Sequence, residues 1–358
     1  MNNDRLEADL LLDVQNMRVS FDTYAGEVQA VRDVSFSVNK GEIVSIVGES
    51  GSGKSVMTQS IVKLLPSPPA RFKSGQVIYN GEDISKYDFN RMRNIKGKEI
   101  AYIFQDPMTS LNPTMKIGIQ VVEALLVHKK MKRADAAKYS IELLKNAGIS
   151  NPENRMQQFP HELSGGMRQR VMIAMAIAVK PKLLIADEPT TALDVTIQSQ
   201  ILGTLKELNK SMGMAILLIT HDMGIVANIA HRVIVMYGGK IVESASTVDV
   251  FENSIHPYTR ALLASVPRLD MEEKKELSYI IGSPPDMFNI AESCPFAPRC
   301  KYSMKICWEK FPQKTCIDKD HVVWCFLLLE GAQKIRSRFF NDYSISHNTN
   351  WSKLDNGK

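Results

Sequence analysis

Apolar and polar positions change in short blocks over residues 11–47. Residues 28–34 and 36–38 carry the two-residue period of half-buried strands, Asn39-Lys40-Gly41 reads as a turn, and 43–47 is an unbroken apolar run of strand length. A glycine-rich stretch from Gly48 to Gly53 breaks this pattern. Residues 56–65 then have helical spacing, up to the stop Pro66-Ser67-Pro68-Pro69. Between about 107 and 162 the period is helical, clearest over 121–128 and 134–147. After Leu163 strand and helix alternate again: 183–186 and 215–220 are apolar strands, with a helix over 195–208 between them. That order predicts an α/β fold, a parallel sheet with crossovers interrupted by a helical insertion. From about 256 the chain becomes Pro- and Cys-rich, and 327–358 reads as a polar, flexible tail with an Asn-rich end.

Composition narrows the class without deciding it. The chain has 358 residues, 44% hydrophobic and 23% charged, which is ordinary for a globular protein with one large core or two modest ones. The net charge of +5, from 44 basic and 39 acidic residues, is too mild and too evenly spread to argue for nucleic acid. No apolar run approaches the roughly 20 residues that span a bilayer. The start, Met1-Asn2-Asn3-Asp4-Arg5-Leu6-Glu7, lacks the apolar stretch of a signal peptide. The expectation is a protein kept in the cytoplasm that meets a membrane only through partners.

The chemistry begins in the loop. Gly48-Glu49-Ser50-Gly51-Ser52-Gly53-Lys54-Ser55 satisfies the P-loop pattern and sits between a predicted strand and a predicted helix, the context it requires. Glycines let successive N–H groups turn inward around a phosphate, and the helix start that follows favours an anion. Lys54 is expected to neutralise the β- and γ-phosphates of ATP, and the Ser55 hydroxyl to ligate Mg²⁺. Leu183-Leu184-Ile185-Ala186-Asp187-Glu188 is an apolar strand ending in two carboxylates. Asp187 suits a second Mg²⁺ contact, and Glu188 suits the general base that orients the attacking water.

Further motifs carry a family resemblance. Leu163-Ser164-Gly165-Gly166-Met167-Arg168-Gln169-Arg170 resembles the ABC signature, Gln105 the Q-loop, Ala192-Leu193-Asp194 the D-loop, and His221 in Ile219-Thr220-His221-Asp222 the switch histidine. All occur in the family's order. The resemblance implies a P-loop NTPase ABC cassette over 11–255: a RecA-like parallel-sheet core with an antiparallel β part and a helical subdomain at about 107–162. It implies that Gln105 is a further Mg²⁺ contact and, with Glu188 and His221, part of the catalytic set. Ser164, Gly165, Gly166 and Gln169 are expected to act in trans on ATP held by the opposite cassette, with Asp194 coupling the two sites. An aromatic residue ahead of the P-loop usually stacks on adenine; Tyr24 and Phe21 are the candidates, with Tyr24 preferred.

Asp106-Pro107-Met108-Thr109-Ser110-Leu111-Asn112-Pro113, Phe159-Pro160-His161-Glu162-Leu163 and His256-Pro257-Tyr258-Thr259 resemble the oligopeptide/dipeptide/nickel importers. Met167 resembles their first, or D-type, cassette. That family pairs two non-identical cassettes with two transmembrane permease subunits and an extracytoplasmic substrate-binding protein, at the cytoplasmic face of the membrane. Nickel-chelate and glutathione importers share these motifs, so the cargo stays open. A soluble ABC ATPase outside transport is the rival, although such proteins usually carry tandem cassettes or a long coiled coil.

All five cysteines fall between Cys294 and Cys325. In a reducing compartment such clustering suggests a metal or cluster site sooner than disulfides. Cys294, Cys300, Cys307 and Cys325 follow the family's small Cys-rich C-terminal extension, placed here at 256–326, and similarity to its members points to a 4Fe–4S cluster. Their spacing lacks the paired knuckles usual for zinc. Zinc and reduced structural thiols remain the alternatives.

Overall fold

The computed structural model describes residues 9–106, 110–190, 193–266, 280–288 and 290–343. The chain divides into two compact units, one of Met1–Asp13, Ser37–Ile43 and Val77–Ile219, the other of Val14–Phe36, Val44–Gln76 and Thr220–Lys358.

In the first unit the strands Ile100–Ile103, Leu183–Asp187 and Ala215–Thr220 lie side by side and parallel. Ile100 pairs with Leu183, and Leu183 with Ala215. The last two strands are buried at every position, because continuous Leu/Ile runs suit a sheet covered on both faces. The insertion supplies helices Ile117–Lys129 and Arg133–Asn146, close to the expected spans. Both pack on the helix Gly165–Ile177. Helix Val195–Met212 runs one turn beyond its expected end and stops at Gly213, which takes a left-handed conformation.

In the second unit Ile43–Val47 pairs in parallel with Arg232–Tyr237 from Val44 onward, and Arg232–Tyr237 turns back through Gly238-Gly239 into the antiparallel strand Lys240–Ser246. The short strands Val322–Val323 and Thr315–Cys316 extend this edge. The helix after the glycine loop covers Lys54–Ile61, starting and ending earlier than its apolar spacing suggested, because the loop itself sets the helix start at Gly53. A core of Val235, Tyr237, Val242, Tyr258, Cys294, Phe296 and Phe326 ties the Cys-bearing segment to the sheet.

The flexible-tail expectation fails over 327–343. Gln333–Asp342 is a helix whose Phe339 and Phe340 are buried with Ile255, Tyr302 and Leu327. Ala332, Arg336, Phe339 and Phe340 fall on one helical face, a three-to-four-residue spacing concealed by the polar residues between them. Residues 344–358, like Pro107, Met108, Thr109, Thr191 and Ala192 of the motifs, lie outside the described residues.

Candidate functional site

The loop from Gly48 to Ser55 joins the strand Ile43–Val47 to the helix Lys54–Ile61. Its shape depends on Gly53, which has φ +97°, and a Cβ there would stand 2.3 Å from the Ala30 carbonyl oxygen. No other residue tolerates both conditions. The Lys54 ammonium donates to the carbonyls of Gly48 (2.7 Å) and Glu49 (2.9 Å), and more weakly to Ser52 Oγ (3.4 Å). Ser55 occupies the second helical position. Its hydroxyl is a hard oxygen donor of the kind Mg²⁺ takes. Glu49 is held at both ends: its N–H donates to Tyr258 Oη at 2.8 Å, and its carboxylate takes both arms of Arg299 at 2.6 and 3.1 Å. Tyr24 is fully exposed and Phe21 half-buried, so Tyr24 is the one with a ring face open to stacking.

In the first unit Asp187 ends its strand buried, and its Oδ2 accepts from the Tyr102 hydroxyl at 2.9 Å. Its carboxylate oxygens are hard donors of the kind Mg²⁺ takes. Glu188 follows in the left-handed region, with φ +44°. Such a backbone costs about 1–3 kcal/mol in a residue with a Cβ and persists where the surroundings fix it. Here the Glu188 N–H donates to the Ile219 carbonyl at 2.9 Å. Gln105 Nε2 donates to Glu188 Oε2 at 2.9 Å. Tyr102 had no signal in the sequence beyond its place in a strand.

Ser164 caps the helix Gly165–Ile177, its Oγ accepting from the Met167 N–H at 3.4 Å. Gly166 admits Ile197 from the next helix, since a Cβ there would lie 2.8 Å from Ile197 Cγ2. Gln169 departs from its expected trans role: its side chain is only 2% exposed, on the face turned into the unit, and cannot reach another chain. Asp194 caps the helix Val195–Met212 by accepting from the Ile197 N–H at 2.9 Å. His221, in the second unit, is exposed and stands next to Asp222, whose carboxylate caps the helix Met223–Ile229.

Among the described residues, no three His, Cys, Asp or Glu side chains converge closely enough to hold a metal ion. Four of the thiols, Cys294, Cys300, Cys307 and Cys325, are buried or half-buried. Burial pushes Cys294 up to about 11 and Cys300 up to about 12, and holds Cys325 well above the usual thiol range, with the neighbouring thiols adding to each shift. Burial also raises Cys307, and backbone hydrogen bonds oppose the shift at all four thiols without reversing it. Cys316 is exposed.

Comparison with known proteins bears directly on these motifs. Residues 31–191 match the ABC transporter family, and residues 242–307 match the oligopeptide/dipeptide transporter C-terminal region. The chain is 53% identical to the oligopeptide transport ATP-binding protein OppD of Bacillus subtilis, over 91% of both chains. The chain belongs to the ABC transporter family. As an ABC subunit it is an ATPase coupled to transport. It is also 51% identical to the dipeptide transport ATP-binding protein DppD of the same organism, over 90% of this chain and 96% of that one. Among solved structures, the ATP-binding cassette MJ0796 bound to ADP and Pi is similar at 28% identity. It gives a TM-score of 0.61 over 66% of this ABC subunit and 99% of that chain. Among the described residues, no helix of the subunit is long and apolar enough to cross a membrane.

Proposed function

We propose that this ABC subunit hydrolyses Mg-ATP to drive the import of peptides, as a peripheral D-type cassette on the cytoplasmic face of a membrane permease. The single observation carrying the catalytic part is the Glu188 carboxylate, turned off its strand by a left-handed backbone and bonded to Gln105 at 2.9 Å. The phosphate loop, with Lys54, binds and orients the polyphosphate. In the second unit Ser55 would offer an oxygen to Mg²⁺, and in the first Asp187 and Gln105 carry side-chain oxygens of the same kind; the ion, when bound, would neutralise charge on the phosphates. Glu188 takes the proton of the attacking water, His221 holds the γ-phosphate, and Tyr24 stacks on adenine. Ser164, Gly165 and Gly166 serve a partner cassette's nucleotide. The likeness to OppD and DppD over nine-tenths of the chain supports peptide as the cargo.

The permease would seat in the first unit on an apolar groove of about 230 Å³ lined by Tyr102, Phe104, Leu111, Ala124, His128 and Met172. The complete assembly has a second, non-identical cassette, two permease subunits and an extracytoplasmic binding protein. In vesicles carrying that assembly, labelled oligopeptide enters only with Mg-ATP on the cassette side. Uptake of a nickel chelate with no response to peptide would overturn the cargo.

The Cys-rich C-terminal extension is the second part of the proposal, with Cys294, Cys300, Cys307 and Cys325 holding a 4Fe–4S cluster. Donors of one zinc ion stand roughly 3.8 Å apart, from Zn–S bonds of about 2.3 Å. A cluster spreads its four irons and accepts thiolates set wider; what supports it here is the confinement of every cysteine to residues 294–325 at spacings without zinc knuckles. When bound, the cluster supplies cross-links to a segment with a small core. Anaerobically purified chain is expected to hold about four irons. Cys325→Ser loses them and Cys316→Ser keeps them. About one zinc per chain and no iron would replace the cluster by the zinc reading.

A further inference from the structure

The phosphate loop and the cysteine segment meet within the second unit through one ion pair spanning 250 residues of sequence. We propose that Arg299 is a positioning residue of the ATP site: by clamping Glu49 it fixes the phosphate loop, so that the folded cysteine segment sets the affinity for Mg-ATP. The inference rests on the reading of Gly48–Ser55 as that site.

Every donor of the guanidinium is engaged. Nη1 donates to Glu49 Oε2 at 2.6 Å and to the Tyr237 hydroxyl at 3.0 Å. Nη2 donates to Glu49 Oε1 at 3.1 Å and to the Ile280 carbonyl at 3.0 Å, and Nε donates to the Ile281 carbonyl at 3.0 Å. With its side chain only 6% exposed, Arg299 is a fixed anchor and not a flexible surface cation. The anchor is itself fixed, because Phe296, three residues earlier, packs edge-on to Tyr237 at 5.2 Å and against Tyr258 at 5.3 Å. Tyr258 is the acceptor for the Glu49 N–H.

The clamp answers an electrostatic problem. Glu49 puts a carboxylate inside a loop whose N–H groups and lysine are arranged for an anion, and like charges there disfavour ATP. Arg299 compensates that charge and draws the carboxylate toward the cysteine segment. The Glu49 carbonyl, fixed by the same contacts, accepts from Lys54 at 2.9 Å, so the clamp also bears on the phosphate-binding lysine.

The test is Mg-ATP binding to the full chain, followed by KM and kcat in the assembled transporter. Arg299→Met is expected to weaken binding about tenfold, a typical coupling between linked sites. KM rises accordingly, while kcat stays within about twofold because the reacting groups are untouched. Adding Glu49→Gln to Arg299→Met restores part of the affinity, since the uncompensated carboxylate is gone; a role in folding alone gives no such rescue. Arg299→Lys, which keeps the charge without the two-armed contact, falls between and serves if Arg299→Met does not fold. Wild-type affinity in either Arg299 variant, or a double variant no tighter than Arg299→Met, overturns the proposal. Lys54→Ala tests the loop separately: retained Mg-ATP binding there removes the site itself. Loss of binding there beside an unchanged Arg299→Met removes only the clamp.

Discussion

In the assembled transporter, Glu188→Gln lowers steady-state ATP hydrolysis by about two to four orders of magnitude, the range for losing a positioned general base. Binding of Mg-ATP is retained, since the phosphate loop and Lys54 are unchanged. The substitution is nearly isosteric and keeps an oxygen able to accept from Gln105 Nε2, now 2.9 Å from Glu188 Oε2. Folding is therefore preserved, and what is lost is the ability to take a proton from water. The left-handed backbone at φ +44° is equally accessible to Glu and Gln, so it adds no further strain. Rapid-quench measurement of phosphate release separates the outcomes. A variant that binds ATP and turns over within a few-fold of the parent would remove Glu188 from its role and return attention to His221 and Gln105.

The motifs were legible because each is local. A glycine loop between strand and helix, a carboxylate pair at a strand end and a serine at a helix start each declare a geometry within a few residues. Contacts between distant segments carried no such signal. Nothing local in the sequence marks Arg299, and only folding brings it to Glu49. Nothing local marks Tyr102 either, yet its hydroxyl donates to Asp187. Gln169 was misread because motif spacing says which residues are neighbours in sequence, whereas helical period decides which face they occupy. Its neighbours Val171, Met172 and Ile173 are buried with it. The helix Gln333–Asp342 was missed because its apolar residues are few, and burial of Phe339 and Phe340 depends on partners as distant as Ile255.

Assembly brings the second large effect, an expected increase in ATP turnover when this subunit joins the permease and the proposed partner cassette. The helix start at Ser164, Gly165 and Gly166 offers backbone N–H groups to an anion, as the phosphate loop does. In the proposed pairing, each cassette lends that helix start to the nucleotide on the other, so a lone chain lacks part of the charge stabilisation its own ATP needs. Losing one preorganised donor of this kind costs about two to three orders of magnitude in rate. Replacing Ser164 with Ala removes the cap on Met167 N–H and is expected to impair the partner's site while leaving Mg-ATP binding to this chain intact. The direct measurement is the ATP hydrolysis rate of the purified subunit alone against the same subunit in the reconstituted transporter. The expected rise on assembly is about a hundredfold. Equal rates in the two preparations would contradict a shared site.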